Sequence, residues 1–161
     1  MFTHDEEMLL LSLMDSKDGL DMAALDQIID RCGEECPYNE LYRGISSRQL
    51  KEVQTLGVGD TIVTQRPMSF TPNGEIAANF ADEVYHTDAV FLIKTPSTCF
   101  HYYPVAVDML QKHKQDGIFQ SMIMLADERE CLYQTGTTFK LVDIEKDPVH
   151  NHITVYTLEV E

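Results

Sequence analysis

Positive charge is what this chain has least of: 12 Lys and Arg stand against 27 Asp and Glu, a formal net charge of −15. Binding through phosphate contacts needs a basic face, so this balance argues against a nucleic-acid partner. It would attract a basic partner surface instead. Long hydrophobic runs are also missing. No apolar stretch approaches the roughly 20 residues that a membrane helix requires, and no membrane partner is expected. The opening Met1-Phe2-Thr3-His4-Asp5-Glu6-Glu7 is acidic where a secretory signal would be basic, which predicts no targeting segment and a cytoplasmic location. Cys32, Cys36, Cys99 and Cys131 show no framework spacing, so reduced thiols are expected rather than disulfides. Cys32-x3-Cys36 lacks a second pair and does not read as zinc. His150-x-His152 has the spacing of two ligands on one strand face but no evident third, and no metal is expected.

Repeats, low-complexity tracts and linkers are absent as well, so residues 1–161 read as one domain long enough to bury a core. The composition, 43% hydrophobic and 24% charged, is that of a globular chain. Thr3 with Glu6 has the form of a capping box, and Leu9, Leu10, Leu13 and Met14 then recur at helical spacing. After an interruption at Ser16–Gly19 the pattern resumes through Leu20, Ala24, Leu25, Ile28 and Ile29, stopping at Cys32-Gly33. A helical N-terminal part of about 1–35 follows.

Beyond it the signals turn to short strands. Glu40 to Ile45 is an apolar-polar run, and Ser46-Ser47 can cap a helix to about Leu56. Thr61 to Gln65 and Pro67 to Thr71 read as extended chain, and Pro72-Asn73-Gly74 as a turn into a helix over 75–84. Ala89 to Lys94 is nearly continuous apolar strand, suited to burial on both faces. A helix over 105–113 is predicted after an interruption at Tyr102-Tyr103-Pro104, and Ile118 to Leu125 reads as a strand. Thr138 to Ile144 and His152 to Val160 complete a β-rich second half, with a hairpin turn at Thr135-Gly136-Thr137. Helices first and strands later predict an α+β fold with a mixed or antiparallel sheet core.

One stretch organises the rest: Asp127-Glu128-Arg129-Glu130-Cys131-Leu132-Tyr133-Gln134-Thr135-Gly136-Thr137-Thr138-Phe139. Two carboxylates two residues apart open a strand-like run, so Glu128 and Glu130 are expected on one face. Like charges that close are unfavourable unless a cation or a reaction lies between them. Upstream stand Tyr42-Arg43-Gly44 and Ser69-Phe70-Thr71, each in its own strand-like context. An arginine, then S-x-T, then E-x-E followed by G-T-x-F resembles the R-S-E class of mono-ADP-ribosyltransferases, including the kind that bacteriophages deploy. The resemblance covers about 41–142.

That resemblance implies a split sheet core of the ADP-ribosyltransferase kind, with NAD as substrate in a cleft between two sheet halves and no metal. Arg43 would hold NAD near its phosphates, for which a permanently charged fork of donors is suited. Gly44 would let the ligand approach the backbone. Ser69 and Thr71 carry the bracing hydroxyls, with Phe70 as a departure from the family's usual S-T-S or S-T-T. Phe80 matches an aromatic that packs near the nicotinamide; simple core packing is its alternative. Glu130 would stabilise oxocarbenium charge on the ribose, and Glu128 would serve the acceptor. E-x-E goes with arginine as acceptor in this class, so transfer of ADP-ribose to protein arginine with release of nicotinamide is implied. The target-recognition loop would lie within 113–127, with Phe119 a candidate aromatic in it. Targets would be host proteins such as the transcription or translation machinery of a bacterial cytoplasm. The alternatives are NAD hydrolysis, transfer to nucleic acid or a small molecule, or a catalytically idle binding or particle-associated relative.

Overall fold

The computed structural model describes residues 2–14, 19–113 and 118–161. In chain order its elements are α1 (His4–Ser12), α2 (Met22–Cys32), β1 (Leu41–Gly44), α3 (Ser47–Val53), β2 (Thr61–Val63) and β3 (Met68–Phe70). Then come α4 (Gly74–Asn79), which runs on into a π-helical turn at Phe80–Val84, and β4 (Ala89–Ile93) and β5 (Phe100–His101). The remainder is α5 (Tyr102–His113), α6 (Ile118–Glu128), β6 (Cys131–Tyr133), β7 (Thr138–Lys146) and β8 (Thr154–Val160).

Caps start the helices where the sequence writes them. Thr3 accepts from the Glu6 amide while Glu6 accepts from the Thr3 amide, and Ser46 and Gln49 repeat that reciprocal box before α3. Asp21 caps α2 by accepting from the Ala24 amide. Helices α1, α2, α5 and α6 gather round Leu10, Leu25, Ile28, Tyr102, Ala106 and Leu110. Tyr102 is fully buried and donates its hydroxyl to the Leu10 carbonyl, tying α5 to α1. Glu7 adds a second tie by accepting from Lys112 Nζ at 2.6 Å.

The strands form two sheets. One has the order β1-β4-β8-β7-β2, with β4 parallel to β8 and the other pairings antiparallel; the second is antiparallel, in the order β3-β6-β5. Alternation on β4 explains its unbroken apolar run. Ala89, Phe91 and Ile93 face the core between the sheets, whereas Val90 and Leu92 face the cover made by α4. The two sheets touch at one point that matters: Tyr42 of β1 and Thr71, just past β3, exchange backbone bonds of 2.7 and 2.8 Å. This is the expected α+β architecture with a split, mixed sheet core.

Several local expectations fail for physical reasons. Ile118–Leu125 is helix, not strand: α6 leaves Ile123 51% exposed, and apolar residues on the solvent side blur the helical period. Tyr102-Tyr103-Pro104 does not interrupt α5 but begins it, because a proline in the first turn lacks only an amide that would have no intrahelical partner. The turn at Thr135-Gly136 exists, yet β6 and β7 do not pair. The chain there crosses from one sheet to the other, held by Gly136 N on the Thr64 carbonyl at 2.9 Å. His150 and His152 lie in the turn before β8, and His150 meets Glu75 at 3.2 Å. The expected break at Ser16–Gly19 lies largely outside the described residues, as do 114–117 of the proposed recognition loop and the side chain of Phe119.

Candidate functional site

The β1 strand delivers Arg43 to the seam between the sheets. Its Nη1 donates to the Ser69 carbonyl at 3.0 Å and to Ser69 Oγ at 3.2 Å, and its Nε donates to Gln49 Oε1 at 3.4 Å. Burial pulls the guanidinium below its ordinary value, Tyr85 and Glu130 push it back up, and Arg66 lowers it. Arginine is the residue that tolerates this, since it stays charged even when partly desolvated.

Strand β3 sorts the S-x-T by alternation. Phe70 turns into the core between the sheets, edge-on to Tyr133 at 5.6 Å and tilted against Phe139 at 5.9 Å. Ser69 takes the guanidinium, while Thr71 Oγ1 accepts from the Asn73 amide at 3.1 Å and starts the turn into α4. The central aromatic is thus a core residue between two hydroxyls with separate tasks.

The two carboxylates do not sit on one strand, as the alternation argument expected. Glu128 is the last residue of α6, and Glu130 immediately precedes β6. Between them Arg129 adopts φ 43°, with its amide on the Leu125 carbonyl at 2.8 Å and its Nε on the Ala126 carbonyl at 3.0 Å. This left-handed residue ends the helix and turns the chain into the strand. Both acids still line the same cavity. Glu130 is 8% exposed and its carbonyl accepts from the Tyr102 amide at 3.0 Å, so its backbone is fixed by α5.

That cavity, of about 300 Å³, brings together the catalytic and NAD-binding candidates read from the sequence: Arg43, Gly44, Ser69, Thr71, Phe80, Glu128 and Glu130. Phe80 is 39% exposed, which removes simple core packing as its explanation. Gly44 has a packing reason: a Cβ there would stand 2.7 Å from the Ala77 carbonyl oxygen and 2.9 Å from Phe80 Cβ. Its bareness lets α4 and the π turn press on β1, which sets Phe80 over the cavity.

The structure adds residues that carried no sequence signal. Tyr85, 6.2 Å from Phe80 between ring centres, lines this cavity and an adjoining one of about 320 Å³. Arg43 and Ser69 also border both, and the adjoining cavity has Arg48, Gln49 and Arg66 in its wall. One lobe carries Glu128 and Glu130; the other carries Arg66 and Arg48, the latter 3.7 Å from Glu52 in the same wall, with Arg43 between the two lobes. A ligand with a cationic or polarisable sugar end and an anionic middle has complementary partners in this pair of lobes.

The chain resembles known proteins along most of its length. The family model described as Bacteriophage T4 Mod ADP-ribosyltransferase matches residues 2–161. The chain is 28% identical to the NAD--protein ADP-ribosyltransferase modB of Enterobacteria phage T4, over 99% of this chain and 84% of that protein. Its identity to modA of the same phage is 26%, over 75% of this chain and 64% of that protein. Among solved structures, Plx2a, an ADP-ribosyltransferase toxin from Paenibacillus larvae, superposes with a TM-score of 0.62 at 10% identity, covering 99% of this chain and 87% of that one.

Proposed function

Because the chain belongs to the bacteriophage T4 Mod ADP-ribosyltransferase family, whose reaction moves ADP-ribose from NAD to protein, we propose that its acceptor is an arginine side chain and that nicotinamide leaves from the cavity at the seam of the sheets. The observation that carries this reading is the convergence of Arg43, Ser69, Glu128 and Glu130, from separate segments, on one cavity.

In this reading the diphosphate lies against Arg43, with Arg66 and Arg48 in the adjoining lobe, and the nicotinamide lies near Phe80 and Tyr85. The bond between ribose C1′ and the nicotinamide nitrogen breaks, its electron pair leaving with nicotinamide. Positive charge grows on the ribose, and the buried Glu130 carboxylate opposes it through the sugar hydroxyls. A carboxylate fixed before the reaction stabilises that charge more in the transition state than in the ground state. The incoming guanidinium is a poor nucleophile while protonated, its pKa lying above ~12. Glu128, at the more open end of α6, takes its proton as the new bond from nitrogen to C1′ forms.

The chain 1–161 acts as one catalytic unit in a bacterial cytoplasm, on a host protein with a basic or arginine-presenting surface such as a component of transcription or translation. The net charge of −15 supports that choice of partner. The experiment is incubation of the pure protein with labelled NAD and a bacterial lysate, followed by mass-spectrometric mapping of the modified residue. Label on arginine supports the acceptor, and label confined to another residue type overturns it.

A further inference from the structure

Three of the four cysteines meet although the sequence separates them widely. Cys36 lies in the segment between α2 and β1, Cys99 just before β5, and Cys131 at the start of β6. Their sulfurs all lie within 4.8 Å of one another. Backbone pairing builds the meeting point. Cys99 exchanges 2.9 Å bonds with Glu34, which draws in the segment carrying Cys36. The pairings His101↔Cys131 and Phe100↔Leu132 put Cys99 and Cys131 on one face of the small sheet, since residues two apart share a face and direct partners do too. Cys99 and Cys131 are buried and Cys36 is partly exposed.

We propose that Cys36, Cys99 and Cys131 form a three-thiolate site for a soft divalent metal ion, zinc above all, contrary to the absence of metal expected from the sequence. Zinc–sulfur bonds of ~2.3 Å in tetrahedral geometry place sulfurs roughly 3.8 Å apart. The cluster needs only a contraction of about 1 Å at most to reach that spacing. Cysteine serves well enough as a small core residue, but core packing gives no reason for three thiols to face one point. A disulfide would use two and leave the third. Each ligating thiol releases its proton to water as its bond to the metal forms, and no electron changes hands. His101 projects from the same face as Cys131 but is held to Tyr38 at 2.8 Å, so the fourth position goes to water on the partly open side of Cys36.

Such an ion would tie the segment leading to β1 to both β5 and β6. Cys131 directly follows Glu130, so the ion would anchor the strand that begins beside the buried carboxylate. Its role is positional, and it is independent of which residue accepts ADP-ribose. Cys32 is outside the cluster, which explains why Cys32-x3-Cys36 carried no zinc signal: the partners of Cys36 come from distant strands.

The test uses the full chain purified without chelator. Elemental analysis should find close to one zinc per chain. After chelation, reloading with Co²⁺ should give a thiolate-to-cobalt charge-transfer band, and chelation should lower the thermal midpoint. Cys36→Ser, at the partly exposed ligand, should lose the band while keeping the wild-type far-ultraviolet dichroism, and Cys32→Ser should keep the band. Wild-type protein that takes up neither metal, a disulfide between any two of the three, or an undiminished band in Cys36→Ser would overturn the site.

Discussion

Arg43 reaches across the seam between the sheets and donates from one nitrogen to both the carbonyl and the hydroxyl of Ser69, at 3.0 and 3.2 Å. The guanidinium is thereby held in place before any ligand arrives, on the wall of both cavities. Arg43→Lys keeps the charge but loses the fork. We expect NAD affinity to fall by about 10-fold or more, since hydrogen bonds to charged groups contribute roughly 1.5–3 kcal/mol. Ser69→Ala removes one of the two bonds and should cost less, about 1 kcal/mol. Titration calorimetry with NAD measures both, and unchanged affinity in Arg43→Lys would reduce Arg43 to a structural role.

Gly44 makes a prediction about stability. An alanine Cβ would sit 2.7 Å from a backbone oxygen of α4, which cannot move aside as a flexible side chain could. Gly44→Ala should destabilise by about 1–3 kcal/mol, the range for overpacking. It should also displace Phe80, so Tm and NAD affinity should fall together. A midpoint equal to that of the wild type would show that α4 adjusts freely.

Acid should loosen the helical layer in a defined direction. The hydrogen bond and charge of Lys112, with a smaller contribution from His113, hold the Glu7 carboxyl below its ordinary value of 4.5 against the opposing effect of burial. Its folded pKa is depressed, so the stabilisation is fully present above the ordinary glutamate range. It is lost as pH falls through the lowered value. Chemical denaturation as a function of pH should show a decline below about 4.5 that is shallower in Glu7→Gln. Identical pH profiles would mean that the Glu7 tie to α5 contributes nothing.

Much of this molecule was legible in its sequence because the signals were local. Thr3 with Glu6, and Ser46 ahead of α3, announce helix starts within one turn. Ala89–Ile93 announces a doubly buried strand by its unbroken apolar run. The ordered Arg43, Ser69 and Glu130 could be picked out because the family motif depends on order, which a linear text preserves. What escaped was non-local or masked. The exposed Ile123 and Met124 hid α6, so the E-x-E looked like one strand rather than a helix end and a strand start joined by a left-handed Arg129. Tyr85 and Arg66 reach the site only through the packing of the π turn and of the β2–β3 connection. Cys36, Cys99 and Cys131 converge through strand pairing that no spacing rule contains.

The two acids should fail differently, because they lie at different depths. Glu128 ends a helix and is partly exposed, whereas Glu130 is buried. Glu128→Gln should abolish transfer to protein and to agmatine, a minimal guanidino acceptor, yet retain nicotinamide release, since water can still capture the sugar cation. Parallel assays of nicotinamide and of labelled acceptor distinguish the steps. Equal loss of both would remove the division of labour.

Glu130→Gln offers the most direct measurement, because it alters one charge in a buried side chain of nearly constant size. NAD affinity by calorimetry and nicotinamide release should be followed in the same preparation. We expect affinity to stay within about threefold while release falls at least ~100-fold, near 3 kcal/mol of transition-state stabilisation. Near-wild-type release from a folded Glu130→Gln protein would contradict the assignment of this cavity as the place where the bond to nicotinamide breaks.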